Sequence, residues 1–168
     1  KMFILEGGGR NGKGSLTRTI QEMLGADNFS SETLHSLCED TFSAYSLFGK
    51  MANISGELPK KEITDTTMVK MISGEDPIEG NEKYGRKLKF VPKATMMFAC
   101  NSIPIVSDTS EAWYQRWIII PFPRSFADNP TPNIEKAFAT DAEKSGIFNM
   151  AIRGLKRLLK SNRFSDVK

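Results

Sequence analysis

One nine-residue run, Gly7-Gly8-Gly9-Arg10-Asn11-Gly12-Lys13-Gly14-Ser15, constrains this chain more than any other stretch. It follows Met2-Phe3-Ile4-Leu5, a short continuous apolar run that reads as a buried parallel strand. It precedes Leu16, Ile20, Met23 and Leu24, which recur at helical spacing until Gly25 stops them. Strand, glycine loop and helix together are the setting a phosphate-binding loop requires. Glycines let the backbone wrap phosphate oxygens and aim N–H groups at them, and the helix start adds the positive end of its dipole. Lys13 reaches the β- and γ-phosphates as a point charge. The usual pattern sets Ser or Thr directly after the lysine. Here Gly14 stands there and Ser15 follows, so Ser15 is expected to supply the hydroxyl toward magnesium, directly or through a water.

The remaining pattern alternates strands with helices. Ser30 to Leu47 has sparse apolar positions and reads as short helical pieces. Met51 to Ile54 reads as a second strand, and Thr64 to Ile72 as a helix with Met68, Val69 and Ile72 inward, ended by Ser73-Gly74. Ile78 to Tyr84 and Leu88 to Val91 flank Gly85-Arg86-Lys87, a hairpin with a basic tip. Ala94 to Cys100 is nearly all apolar and reads as a central strand, with Trp117 to Ile120 another. Thr131-Pro132 suits a helix start, and Phe148, Ile152, Leu155 and Leu159 form a stripe beyond it. Arg153, Lys156, Arg157 and Lys160, opposite that stripe, are taken as a solvated face. The expectation is a three-layer α/β/α sandwich with a mainly parallel central sheet, a β-hairpin insertion and a helical C-terminal segment. Residues 1–128 form the core, and 129–168 the helical segment packed on it.

A length of 168 residues fits one domain with a full core. The net charge of +3 permits nucleic-acid contact without demonstrating it. No apolar run is long enough to span a bilayer, so no membrane partner is expected. Cys38 and Cys100 lie far apart and read as reduced thiols of a cytoplasmic protein. His35 and Cys38 make half of a metal-site spacing with no second half. Lys1 leads straight into a core strand, which suggests a piece of a longer chain.

The order of segments resembles the helicase domain of phage/plasmid-type primase-helicases, a branch of superfamily 3 within the AAA+ P-loop ATPases. The resemblance runs from the glycine loop to Gly146-Ile147-Phe148-Asn149. It implies ATP and Mg2+ as cofactors, single-stranded DNA as partner, a homo-oligomeric, hexameric ring, and a primase domain in the same chain. Within it, Gly7, Gly8, Gly9, Arg10, Asn11, Gly12, Lys13, Gly14 and Ser15 match the nucleotide-binding loop. Glu57, after Met51-Ala52-Asn53-Ile54, matches the acid that orients water or holds Mg2+. Relatives often carry two acids there; here Glu57 stands alone behind Ser55 and Gly56. A solvated glutamate at a strand end is the plain alternative.

The same resemblance places Lys83, Tyr84, Arg86 and Lys87 on an element facing DNA, where cations track the phosphate backbone and Tyr84 stacks on a base. A solvated basic turn is the competing reading. Asn101 matches a polar sensor of the γ-phosphate, though Asn101-Ser102 before Pro104 would also make a good turn. Arg116 matches an arginine finger that reaches the neighbouring subunit's nucleotide. Arg124 is the alternative finger, and packing between Trp113 and Trp117 is the alternative role for Arg116. Glu75 and Asp76 read as solvated turn residues.

Two other functions compete with a helicase motor. In a nucleoside or nucleotide kinase Gly also follows the loop lysine, but an arginine-rich lid is needed and arginines are sparse here. In a nucleotide-gated DNA-binding module the lone Glu57 and Gly14 would go with weak hydrolysis.

Overall fold

The computed structural model describes residues 1–82, 85–128 and 134–164. Two compact units divide the chain, Lys1–Asp128 and Asn129–Lys168.

In the first unit the apolar runs, joined by one two-residue strand, form one sheet. These are β1 (Met2–Glu6), β2 (Phe29–Ser30), β3 (Ala52–Ser55), β6 (Thr95–Cys100) and β7 (Trp117–Pro121). Their order across the sheet is β2-β3-β6-β1-β7, every neighbouring pair parallel. Leu5 lies opposite Ala99 on one side and Ile120 on the other. This is the α/β class with a mainly parallel sheet, and it has the layout of a P-loop NTPase. The middle strands are covered on both faces, which is why their sequences are continuously apolar. Leu5 and Phe98 are wholly buried, and Leu34, Leu37, Val69 and Ile72 of the helices share one core with Phe98.

The helix that follows the glycine loop is α1 (Lys13–Leu24), closed by Gly25. Its buried face is not the one the apolar spacing marks. Leu16 is 40% exposed, whereas Lys13, Thr17 and Thr19 are buried. The two threonines tolerate burial because their hydroxyls donate to the carbonyls of Gly14 and Ser15. The sparse region holds α2 (Leu34–Glu39) and α3 (Thr41–Tyr45), capped by the side chains of Thr33 and Asp40. Next comes α4 (Thr67–Gly74), which starts three residues later than its pattern suggests. Ile63 is engaged in a bridge with Val106, and Asp65 accepts from the Thr67 amide at the true helix start.

The hairpin exists as β4 (Ile78–Asn81) paired antiparallel with β5 (Lys87–Phe90), a separate two-stranded sheet. It lies against α3: a Cβ on Gly80 would stand 2.7 Å from the Tyr45 Cα. A short helix, α5 (Glu111–Tyr114), precedes β7.

The second unit contains α6 (Ile134–Phe138) and α7 (Asp141–Ser161). Thr140 caps α7 by accepting from the Glu143 amide, while the Thr131-Pro132 start lies outside the described residues. Of the apolar stripe, Phe148, Leu155 and Leu159 are exposed. Among the described residues, no helix is long and apolar enough to cross a membrane.

Candidate nucleotide site

Parallel strands aim their carboxyl ends at one edge of the sheet, and ligands of open α/β sheets bind outside that edge. Three neighbouring strands end there in polar residues. After β1 comes the glycine loop, after β6 Asn101, and after β3 Gly56-Glu57. Because β6 lies between β1 and β3, Asn101 is set between the loop and Glu57. One cleft of about 610 Å³ joins them, lined by Arg10, Asn11, Gly12, Lys13, Gly14 and Ser15 of the loop together with Glu57 and Asn101.

The loop's geometry follows from its residues. Gly12 takes a left-handed conformation (φ 89°) that glycine adopts without strain, and Arg10 takes one as well (φ 56°). Gly7 lies so near the end of β7 that a Cβ there would be 2.4 Å from the Phe122 carbonyl oxygen. Lys13 is buried, and its ammonium donates to the carbonyls of Gly7 and Gly8 and to Asn11 Oδ1. A buried cation held only by neutral oxygens is a strong attractor for an anion.

Glu57 and Asn101 are both exposed to the cleft. Ser15 is half-buried on its wall. Oxygen ligands from Ser15 and Glu57 suit a hard divalent cation that takes its other ligands from phosphates and water. Among the described residues no three His, Cys, Asp or Glu side chains group as a metal site, so a cation here would depend on the nucleotide's own oxygens. Cys100 lies on the cleft wall with its thiol pKa raised, first by burial and then by Glu6, while Lys13 opposes the shift.

Other residues marked by the sequence fall elsewhere. Arg116 precedes β7, and its carbonyl accepts from the Met2 amide, so it is level with the start of β1. The loop leaves the other end of that five-residue strand, which separates Arg116 from its own chain's loop by roughly 15 Å. Its Nε donates to Ser73 Oγ at 2.9 Å, and its NH1 to the Ala112 carbonyl. It is not stacked between the two tryptophans. Trp113 and Trp117 touch each other edge-on, with ring centroids 5.2 Å apart.

Arg124 lies over the Phe126 ring at 5.0 Å, and the Phe126 amide donates to the Arg10 carbonyl, so this segment borders the glycine loop. Arg86 and Lys87 are exposed on the hairpin; Lys83 and Tyr84 lie outside the described residues. Glu75 ends α4 and pairs with Lys93 at the surface.

The cleft also takes in Thr17, Arg18, Gln21, Leu58, Lys60 and Ser102, which the sequence did not single out. Gln21 Nε2 donates to the Ile54 carbonyl and so ties α1 to β3. Arg18 and Lys60 follow Lys13 and Glu57 closely in sequence, the one available hint. Nothing in their spacing separates them from solvated cations.

Residues 5–116 match the family model described as "Family of unknown function (DUF5906)". Among curated proteins, the chain is 26% identical over 131 residues to a protein of Acanthamoeba polyphaga mimivirus provisionally named helicase L207/L206. That match takes in 74% of this chain and 14% of the viral protein. Among solved structures, the apo C-terminal region of NrS-1 superposes with a TM-score of 0.65 at 16% identity, covering 85% of this chain and 34% of that one. A second apo structure of the same region gives 0.64 at 17%, with 85% and 35% covered. At that identity the likeness shows the fold alone. The chain spans about a seventh of its viral relative.

Proposed function

The chain belongs to the DUF5906 family, and from that premise we propose that it is the ATP-hydrolysing motor of a DNA helicase, of the superfamily 3 type found in phage and plasmid replication proteins. The observation that carries this reading is the convergence of buried Lys13, Glu57 and Asn101 on one cleft at the carboxyl edge of the sheet. The name of the mimivirus relative supports it.

The loop amides and Lys13 bind the triphosphate, with Mg2+ alongside. Ser15 and Glu57 are the residues that would hold the metal, which when bound neutralises charge on the phosphate oxygens. Glu57 orients the attacking water and accepts its proton. Asn101, from the strand between, donates its amide toward the γ-phosphate and fixes where that water stands. Arg116 is too far from its own chain's loop to act there, which supports a site completed by the next subunit of a ring. The hairpin cations Arg86 and Lys87 contact single-stranded DNA, a role the resemblance extends to Lys83 and Tyr84. Residues 1–128 act as the motor core, and a primase domain in the same protein would go with that role.

The test is ATP hydrolysis with magnesium, with and without single-stranded DNA, across a range of protein concentrations. Turnover that rises with both, and is lost in Lys13→Ala, is the expected result. Tight ATP binding without turnover under any condition would replace the motor with a nucleotide-gated module.

A further inference from the structure

All three hydrogens of the Lys13 ammonium are directed into the loop that carries it. They go to the carbonyls of Gly7 and Gly8, the latter at 3.0 Å, and to Asn11 Oδ1 at 3.1 Å. An ammonium has no fourth donor, so a phosphate oxygen reaches Lys13 only by displacing one of these. Two are backbone groups. Asn11 is the one side-chain partner, and its other end is engaged as well, since Nδ2 donates to the Phe122 carbonyl at 3.1 Å. Rotating the amide by half a turn would set Nδ2 against the ammonium and Oδ1 against the carbonyl. Both pairs would repel, so the neighbours fix its orientation. Asn11 is 7% exposed, which keeps water from substituting for either bond.

Phe122 opens the segment that follows β7 and runs along the loop. Its amide donates to the Glu6 carbonyl at 2.6 Å, and the Phe126 amide donates to the Arg10 carbonyl at 2.8 Å. The same carbonyl that accepts from Asn11 would stand 2.4 Å from a Cβ on Gly7. Loop and segment are therefore in direct contact, with the Asn11 amide as their polar link.

We propose that Asn11 is a positioning residue that reports the engagement of Lys13 by a nucleotide phosphate to the segment Phe122–Phe126. While Lys13 bonds the loop, the amide joins the ammonium to the Phe122 carbonyl. When a phosphate oxygen takes a Lys13 hydrogen, Oδ1 faces an anion in place of a cation. Its favoured orientation reverses: Nδ2 turns to the phosphate, and the Phe122 tie is released. One side chain thereby converts charge at the loop into freedom of the segment beyond β7, which carries Arg124.

This rests on the nucleotide reading above, and its test separates the two. Amide hydrogen exchange of Phe122 and Phe126 is followed by NMR in the whole chain, with Mg2+ and a non-hydrolysable ATP analogue whose binding is measured by calorimetry. In the wild type, saturating analogue speeds exchange of both amides about fivefold, the effect of one lost hydrogen bond. In Asn11→Ala, saturating analogue leaves exchange unchanged. Asn11→Asp, nearly isosteric but unable to donate to Phe122, also gives no response and covers the case in which Asn11→Ala does not fold. Binding of the analogue with unchanged exchange in the wild type overturns the proposal and leaves the nucleotide site standing. So does a response that survives in either variant. No binding by the wild type at any concentration overturns both.

Discussion

Arg116 Nε donates to the Ser73 hydroxyl at 2.9 Å, so the side chain proposed to act on a neighbouring subunit is held by α4 of its own chain. A long side chain preorganised in this way loses less freedom when it meets a phosphate. Arg116→Ala is expected to lower ATP turnover at ring-forming concentrations about 10³-fold or more, while ATP affinity of the unassembled chain stays near wild type. Ser73→Ala should cost less, because the Ala112 carbonyl still holds the guanidinium. Steady-state turnover against protein concentration checks both. Equal turnover of Arg116→Ala and wild type in the assembled state would remove the finger role.

Of the two thiols, Cys100 reports on the cleft and Cys38 lies outside its lining. Cys38 is pushed up to about 12, first by burial and then by Asp65 and Glu39, and Cys100 is raised by burial, though Lys13 pulls it down. The thiolate is the reactive form, so both should alkylate slowly at pH 8 in the folded chain. Mg-ATP should slow Cys100 further, since that residue lines the cleft, and should leave Cys38 unchanged. Lys13→Ala removes the cation that lowers the Cys100 pKa, so Cys100 should alkylate more slowly than in wild type. Mass-spectrometric labelling rates distinguish the two positions.

Much of the architecture was legible because its signals are local. The order strand, glycine loop, helix is written within residues 2–25, and the run ending at Cys100 is apolar because both faces of its strand are covered. The run ending at Ile120 forms the edge strand, where Ile119 is exposed. The two-residue β2 was not legible: Phe29-Ser30 pairs with Ala52-Asn53, and two residues carry no periodicity. The buried face of α1 escaped for a different reason. Thr17 and Thr19 hide their hydroxyls against their own helix, which no hydrophobicity pattern records. Within the cleft, Lys13 could be named from the glycine loop that carries it, and Glu57 and Asn101 from the resemblance in segment order, each a short way beyond a strand. Arg18 and Lys60 reach it only through the packing of α1 and the Leu58–Lys60 stretch beside β3, a three-dimensional fact.

Gly80 sets how closely the hairpin lies on α3. A Cβ at that position would be 2.7 Å from the Tyr45 Cα and 2.9 Å from its amide nitrogen. Backbone atoms do not swing aside as a side-chain end does, so Gly80→Ala should destabilise the chain by about 1–3 kcal/mol, the usual cost of overpacking. A lower urea midpoint with an unchanged slope is the expected record. Gly9→Ala, where a Cβ meets nothing within 4 Å, is the control that should leave the midpoint near wild type.

Asp108 anchors the stretch between Asn101 and Arg116 to α4. Its carboxylate pairs with Lys70, accepts from the Thr66 hydroxyl at 3.0 Å and accepts from the Ser110 amide at 3.0 Å. The hydrogen bond from Lys70 is the largest cause of a pKa held well below the ordinary 3.8, with the Ser110 bonds next. A carboxyl whose folded value lies below its unfolded one binds more protons when unfolded, so it stabilises the fold at neutral pH. That contribution is complete well above pH 3.8 and drains away as pH falls through that value toward the folded one. Asp108→Asn should therefore melt below wild type at pH 7, with the gap constant down to about pH 5 and narrowing in more acid solution. Thermal melts of the two proteins from pH 7 to pH 3 isolate this carboxyl, because every other acid is common to both. A gap that stays constant through pH 3 would mean that the ion pair with Lys70 contributes nothing, and that Asp108 acts only through neutral hydrogen bonds.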